Sequence, residues 1–129
     1  MIKRVNILIV DDSVNIRRMI RNVVSDLVAE VYECGDGSEA LAAYRNHRPD
    51  WVLMDIRMKQ MNGFEATRQI KAAYPAARII MVTVCKGDDM KAAARLAGAS
   101  NYVMKDNLQE LYPILAKRTD DRPSQPIAK

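Results

Sequence analysis

The chain is poor in the residues that usually announce metal or redox chemistry. It has two cysteines and one histidine among 129 residues. Cys34 and Cys85 are far apart and show no CxxC or Cys/His ligand spacing, which argues against zinc. Both are expected as reduced, half-buried thiols. His47 lies in the polar stretch Arg45-Asn46-His47-Arg48-Pro49 ahead of a strand. That context suits a solvent-facing loop residue better than a catalytic base. No apolar run approaches the roughly 20 residues that cross a bilayer. Lys3 and Arg4 precede no signal-like apolar segment with a cleavage site, so a cytoplasmic location and no membrane contact are expected. No internal repeat is visible. A clustered basic face is also missing. The net charge is +4, and residues 117–129 hold Lys117, Arg118, Arg122 and Lys129 against Asp120 and Asp121, or +2 of it. Such a mildly basic tail is not a nucleic-acid footprint, and no direct nucleic-acid contact is expected.

What is present is the balance of a single globular domain, with 49% hydrophobic and 28% charged residues. Strand and helix patterns alternate throughout. Residues 5–10 read as a first strand. Ile16, Met19, Ile20, Val23, Val24 and Leu27 then mark a helix over 14–28. Residues 30–34 form a more polar strand suited to a sheet edge. Gly35-Asp36-Gly37 is a turn, and Ser38 is placed to cap a helix carrying Ala40, Leu41 and Tyr44. Pro49 ends it, and Trp51–Asp55 is the third strand. A loop from Ile56 to Asn62 leads through Gly63 into a helix marked by Phe64, Thr67, Ile70 and Tyr74, closed by Pro75. Arg78–Thr83 is the fourth strand. Gly87-Asp88-Asp89 opens an Ala-rich helix that stops near Gly98. Asn101–Met104 is the fifth strand, and Asp106 or Asn107 starts a last helical segment. Pro113 would cost about 3 kcal/mol mid-helix, so that helix is expected to begin late, with Pro113 in its first turn. The pattern predicts an α/β fold, a doubly wound five-stranded parallel sheet in a flavodoxin-like three-layer sandwich. A domain over 1–118 and a loose tail or cut linker over 119–129 complete the expected layout.

The informative feature is where two apolar strands stop. Ile7-Leu8-Ile9-Val10 runs into Asp11-Asp12, and Trp51-Val52-Leu53-Met54 runs into Asp55. Buried parallel strands read as such continuous runs. In the strand order 2-1-3-4-5, ligands bind beyond the strand ends between strands one and three. Three carboxylates at one spot are unfavourable unless a cation neutralises them. A Mg²⁺ site follows, because Mg²⁺ accepts one or two carboxylates beside phosphate oxygens. Thr83 ends strand four and Lys105 follows strand five, so both project from the same edge. Lys105 can hold a transferring phosphoryl group as a point charge, Thr83 can donate its hydroxyl, and ionised Asp55 can attack phosphorus. Each has a duller explanation: Asp12 or Ser13 as a helix cap, Asp55 as a turn residue, Thr83 as a strand former, Lys105 as a surface lysine. All five on one edge by chance is much harder to explain.

These residues resemble the response-regulator receiver domain of two-component signalling, of the chemotaxis-regulator type. The matching segments are Ile7–Asp12 with Ser13, Trp51–Met58 with Gly63, Ile79–Thr83, and Tyr102-Val103-Met104-Lys105. The resemblance covers about residues 3–118. It implies that Asp55 accepts a phosphoryl group from a histidine kinase or phosphotransfer protein. It implies Mg²⁺ held by Asp12 directly, by Asp11 largely through water, by Asp55, and by the Arg57 backbone carbonyl. Lys105 and Thr83 would bind the phosphoryl oxygens, and Thr83 and Tyr102 would form the switch pair. Output would pass through the face made by the fourth helix, fifth strand and fifth helix, where a partner or a second copy docks on phosphorylation. The only catalysis implied is self-phosphorylation and self-dephosphorylation, in a stand-alone receiver or the receiver part of a transcriptional regulator. The sequence departs from the family where Asp106 follows Lys105 in place of a cis proline. Val84 replaces a small residue after Thr83, and Lys59 replaces a proline after Met58, which should loosen that loop. Arg57 and Cys85 hold positions that tune phosphoryl lifetime. Two other readings compete. A pseudo-receiver that docks partners without phosphate would have lost an acid or the lysine. An aspartyl phosphohydrolase would need an acid where Arg57 stands, and a cap.

Overall fold

A computed structural model describes residues 4–117. The domain end at 118 and the tail over 119–129 expected from the sequence lie outside the described residues. Five strands, β1 (Val5–Val10), β2 (Val28–Cys34), β3 (Trp51–Met54), β4 (Ile79–Thr83) and β5 (Asn101–Met104), form one parallel sheet in the order β2-β1-β3-β4-β5. Five helices alternate with them: α1 (Val14–Val24), α2 (Ala40–His47), α3 (Gly63–Ala73), α4 (Asp88–Ala97) and α5 (Leu111–Ala116).

The pleat sorts the apolar residues into two cores. Leu8, Val10, Val52, Met54, Ile79 and Met81 face Ala40 and Tyr44 of α2, Ala66 and Ile70 of α3 and Ala94 of α4. Their strand neighbours Ile7, Ile9, Leu53, Ile80 and Val82 face Ile20 and Val24 of α1 and Leu111 and Leu115 of α5. This is the expected three-layer arrangement. It explains why β1, β3 and β4 read as unbroken apolar runs, since both sides of the central strands are covered. β2 lies at the edge, and its Ala29, Glu30 and Glu33 stay exposed.

Local differences from the sequence reading have physical causes. The first α-helix stops at Val24; Ser25–Leu27 form a 3₁₀ turn, and Val28 already pairs with Val5. Strand pairing thus claims the residues that helical spacing assigned to the helix. Asp36, not Ser38, caps the next segment: its carboxylate accepts the Ser38 amide at the start of a 3₁₀ turn, Gly37–Glu39, ahead of α2. His47 is exposed but ends α2 rather than lying in a loop, and its ring stacks on Tyr32 at 3.9 Å. Cys34 and Cys85 are free thiols, buried rather than half-buried. Two short 3₁₀ turns span Lys105–Glu110 with a kink at the non-helical Asn107, and α5 begins at Leu111, so Pro113 falls in its first turn as expected.

Candidate functional site

Parallel pairing continues past the strand ends and sets the acids side by side. The Asp11 amide donates to the Cys34 carbonyl at 3.1 Å, and the Asp55 amide donates to the Val10 carbonyl at 2.9 Å. One carboxylate oxygen each from Asp11, Asp12 and Asp55 then lie within 4.8 Å of one another. Asp11 and Asp55 are buried and Asp12 is exposed.

Their remaining contacts fix each carboxylate. Asp11 Oδ1 accepts the Ser13 amide at 2.9 Å, and Ser13 Oγ caps α1 by accepting the Ile16 amide at 3.2 Å. Asp55 Oδ1 accepts the Ile56 amide at 2.9 Å. Lys105 Nζ stands 2.9 Å from Asp11 Oδ2 and 3.4 Å from Asp55 Oδ1. One ammonium facing three carboxylates leaves the cluster net negative. Asp11 Oδ2 is buried and, apart from this ion pair, accepts no hydrogen bond. An all-oxygen donor set with a spare buried lone pair and excess negative charge fits a hard divalent cation such as Mg²⁺.

Burial, and then the Asp11 charge, push the Asp55 carboxyl up to about 6, against Lys105 and the Ile56 amide. Burial pulls Lys105 down, but contact with Asp11 and the charges of Asp55 and Asp11 outweigh it and hold the ammonium above its ordinary value. Lysine and acid therefore reinforce each other's ionised forms.

Thr83 is buried at the end of β4, beside β3 on one side and β5 on the other. Its Oγ1 accepts the Cys85 amide at 3.1 Å, while the Tyr102 hydroxyl donates to the Cys85 carbonyl at 2.6 Å. Both members of the expected switch pair thus meet on the same residue. Val84 stands in solvent at 64% exposure. Arg57 lies in the loop between β3 and α3, with its side chain exposed. That loop closes where the Gly63 amide donates to the Ile56 carbonyl at 2.8 Å, and a Cβ on Gly63 would run into the Asp55 carbonyl oxygen. Asn62 caps α3 by accepting the Glu65 amide at 2.9 Å.

Two contributors were not singled out from the sequence. Arg17 donates through Nη1 to the Asp11 carbonyl and pairs through Nε with Glu33 at 2.6 Å. Asp36 accepts the amides of Gln60 and Met61 from the β3–α3 loop. Helical spacing put Arg17 on the polar side of α1, and Asp-Gly marked a turn, but neither signal names partners in a distant segment.

Residues 7–116 match the response regulator receiver domain family. A chemotaxis protein CheY from Listeria monocytogenes is 40% identical over 100 residues, covering 77% of this chain and 84% of that protein. A LuxR-family two-component response regulator from Aurantimonas superimposes with a TM-score of 0.80 at 36% identity, over 90% of this chain and 88% of the other. A chain of the CheX–CheY–BeF3–Mg complex of Borrelia burgdorferi superimposes with a TM-score of 0.74 at 26% identity, over 87% of this chain and 90% of that one. With sheet order, acid rim and sequence in agreement, the chain belongs to the response regulator receiver domain family.

Proposed function

We propose that this chain is a phosphorylation-activated signalling switch whose phosphoacceptor is Asp55. The observation that carries the reading is the contact of a buried Asp55 with Lys105 inside the three-acid cluster. With its carboxyl at about 6, Asp55 is mainly ionised at neutral pH and remains a nucleophile. One carboxylate oxygen attacks the phosphorus of a phosphohistidine on a kinase or phosphotransfer protein. The P–O bond forms as the P–N bond breaks, and the electron pair leaves with the imidazole nitrogen. Lys105 releases its hold on the Asp55 oxygen and pairs with a phosphoryl oxygen. Thr83 donates its hydroxyl to another. Asp11, Asp12, Asp55 and the Arg57 carbonyl would hold Mg²⁺, which supplies neutralising charge when bound. Water attack at phosphorus later returns free Asp55 and inorganic phosphate.

The switch follows from the shared residue. Moving the Thr83 hydroxyl toward a phosphoryl group breaks its bond from the Cys85 amide, on the same residue whose carbonyl anchors Tyr102. The β4–α4 loop and Tyr102 then repack together, which alters the α4–β5–α5 face. That face, where Lys91 and Arg95 of α4 lie beside Tyr102 of β5, is the docking surface for a partner or a second copy. Phosphorylation biases this element by adding about −1.5 to −2 charge and three acceptors. The reading places the protein in the cytoplasm, opposite a histidine kinase.

Acetyl phosphate with Mg²⁺ should add one phosphoryl group, read by intact-protein mass spectrometry. Asp55→Asn should show none. Lys105→Ala should keep partial labelling but lose the Tyr102 response in its ring NMR signals. Undiminished labelling of Asp55→Asn would overturn the assignment.

A further inference from the structure

We propose that Asp36 is a positioning residue for the phosphoacceptor rim, clamping the β3–α3 loop in the shape that presents the Arg57 carbonyl to the acids. This rests on the role given to that loop above.

Asp36 sits in the turn between β2 and α2, yet most of its bonding capacity is spent elsewhere. Oδ1 accepts the Gln60 amide at 2.9 Å. Oδ2 accepts the Ser38 amide at 2.9 Å and the Met61 amide at 3.2 Å. A capping aspartate needs only the first-turn amide, here Ser38. The two amides from 24 and 25 residues away serve the loop, not the helix. The carboxyl is held down at about 2, chiefly by the Gln60 amide, so it stays ionised at any physiological pH.

The loop needs such a tie. Arg57, Lys59 and Gln60 are exposed, and from residue 57 to 61 only the partly buried Met58 and Met61 side chains pack against the core. Lys59 leaves the backbone free where a proline would have fixed one torsion. The loop is fastened at its base by the Gly63–Ile56 bond and at its crown by Asp36. A second feature seats the turn against the crown: a Cβ on Gly37 would run into the Met61 carbonyl oxygen and sit 3.2 Å from the Ala66 Cβ. Turn and loop therefore touch backbone to backbone, and the carboxylate of one satisfies the amides of the other. Losing it frees the Gln60 and Met61 amides, three and four residues beyond Arg57, and loosens the loop that sets the Arg57 carbonyl.

The test uses the full chain carrying Asp36→Ala, Asp36→Asn or Gly37→Ala. Asn keeps the shape but turns an NH₂ toward a donor; Gly37→Ala pushes the same crown without touching the carboxylate. Amide exchange by NMR should rise about tenfold at Gln60 and Met61, with β1, β3 and β4 unchanged. The Mg²⁺ concentration giving half-maximal labelling by acetyl phosphate should rise several-fold in all three variants. The rate at saturating Mg²⁺ should stay within about twofold of the parent, because bound cation restores the loop. If Asp36→Ala does not fold, the other two variants give the same readouts. An unchanged Mg²⁺ midpoint, even with lower overall stability, shows that Asp36 is a mere cap and overturns the clamp. Failure of the parent to label at all would instead indict Asp55, and the loop exchange would still decide whether Asp36 holds the crown.

Discussion

Two aspartates in this chain titrate in opposite directions, for reasons that separate chemistry from architecture. Asp55 is pushed up to about 6 by burial and by the neighbouring Asp11, so ionisation works against the fold. Asp36 is held down at about 2, first by the Gln60 amide and, against a burial cost larger than any single one of the remaining bonds, by Ser38 and Met61. For Asp36 the folded value lies below the ordinary carboxylate value of 3.8. Its contribution to stability is therefore complete above about pH 4 and disappears as pH falls through about 2. Solvent screening at the loop edge reduces that contribution to about 1 kcal/mol. Asp36→Asn should accordingly be less stable than the parent at pH 7, and the gap should close between about pH 4 and pH 2. Urea unfolding across that range measures it; a gap independent of pH would show that the carboxylate charge is not what binds the loop. The acids of the rim were legible because each ends an apolar run. Asp36 was not, because a turn aspartate looks the same whether it caps its own helix or grips a segment 25 residues away.

At the scale of the element, the ends of helices carry most of what periodicity did not predict. The first helix gave up Ser25–Leu27 because Val28 pairs with Val5, a choice made by the sheet and invisible in helical spacing. The last helix was readable because proline restricts where a helix can start. Gly98 was readable too, as the stop of α4, and it carries a sharper consequence. Its φ of +116° is a conformation that suits glycine, and its amide closes the helix onto the Ala94 and Arg95 carbonyls. A Cβ there would stand 2.8 Å from Lys71 Cγ on α3. Lys71 cannot swing away freely, since its ammonium donates to the Pro75 carbonyl at 2.6 Å and the Ala77 carbonyl at 2.9 Å. Gly98→Ala should therefore cost about 1–2 kcal/mol, lowering the denaturant midpoint with an unchanged m-value. Gly87 supplies the control. Its φ and ψ of +110° and 154° lie where only glycine is at ease, and no heavy atom lies within 4 Å of the added Cβ, so the loss in Gly87→Ala is backbone strain alone. A Gly98→Ala loss left undiminished in a Lys71→Ala background would mean that the α3–α4 contact through Lys71 is slack.

For the molecule as a whole, the sheet order does the gathering. Pairing β1 directly with β3 brings residues 11, 12 and 55 to one rim, and β5 beyond β4 brings Lys105 to face them. Strict alternation of strand and helix made that order readable, because parallel crossovers leave few topologies. The same gathering creates a standing cost. Three carboxylates against one ammonium, two of the acids buried, oppose folding of the metal-free protein. A cation that binds the folded rim and not the unfolded chain removes part of that cost and adds its own binding energy. At one hundred times its dissociation constant it stabilises by about 2.7 kcal/mol, a rise of several degrees in Tm for a domain of this size. Mg²⁺ should therefore raise Tm in calorimetry or scanning fluorimetry, and a chelator should reverse the rise. NaCl at matched ionic strength should not reproduce it, since buried charges are screened much less than exposed ones. Asp55→Asn should start more stable without metal and gain less from Mg²⁺, because one repelling charge and one donor are gone together. A Tm that responds equally to Mg²⁺ and to NaCl in both proteins would show that the rim recognises no cation, and the acids would then need another reason to share one edge.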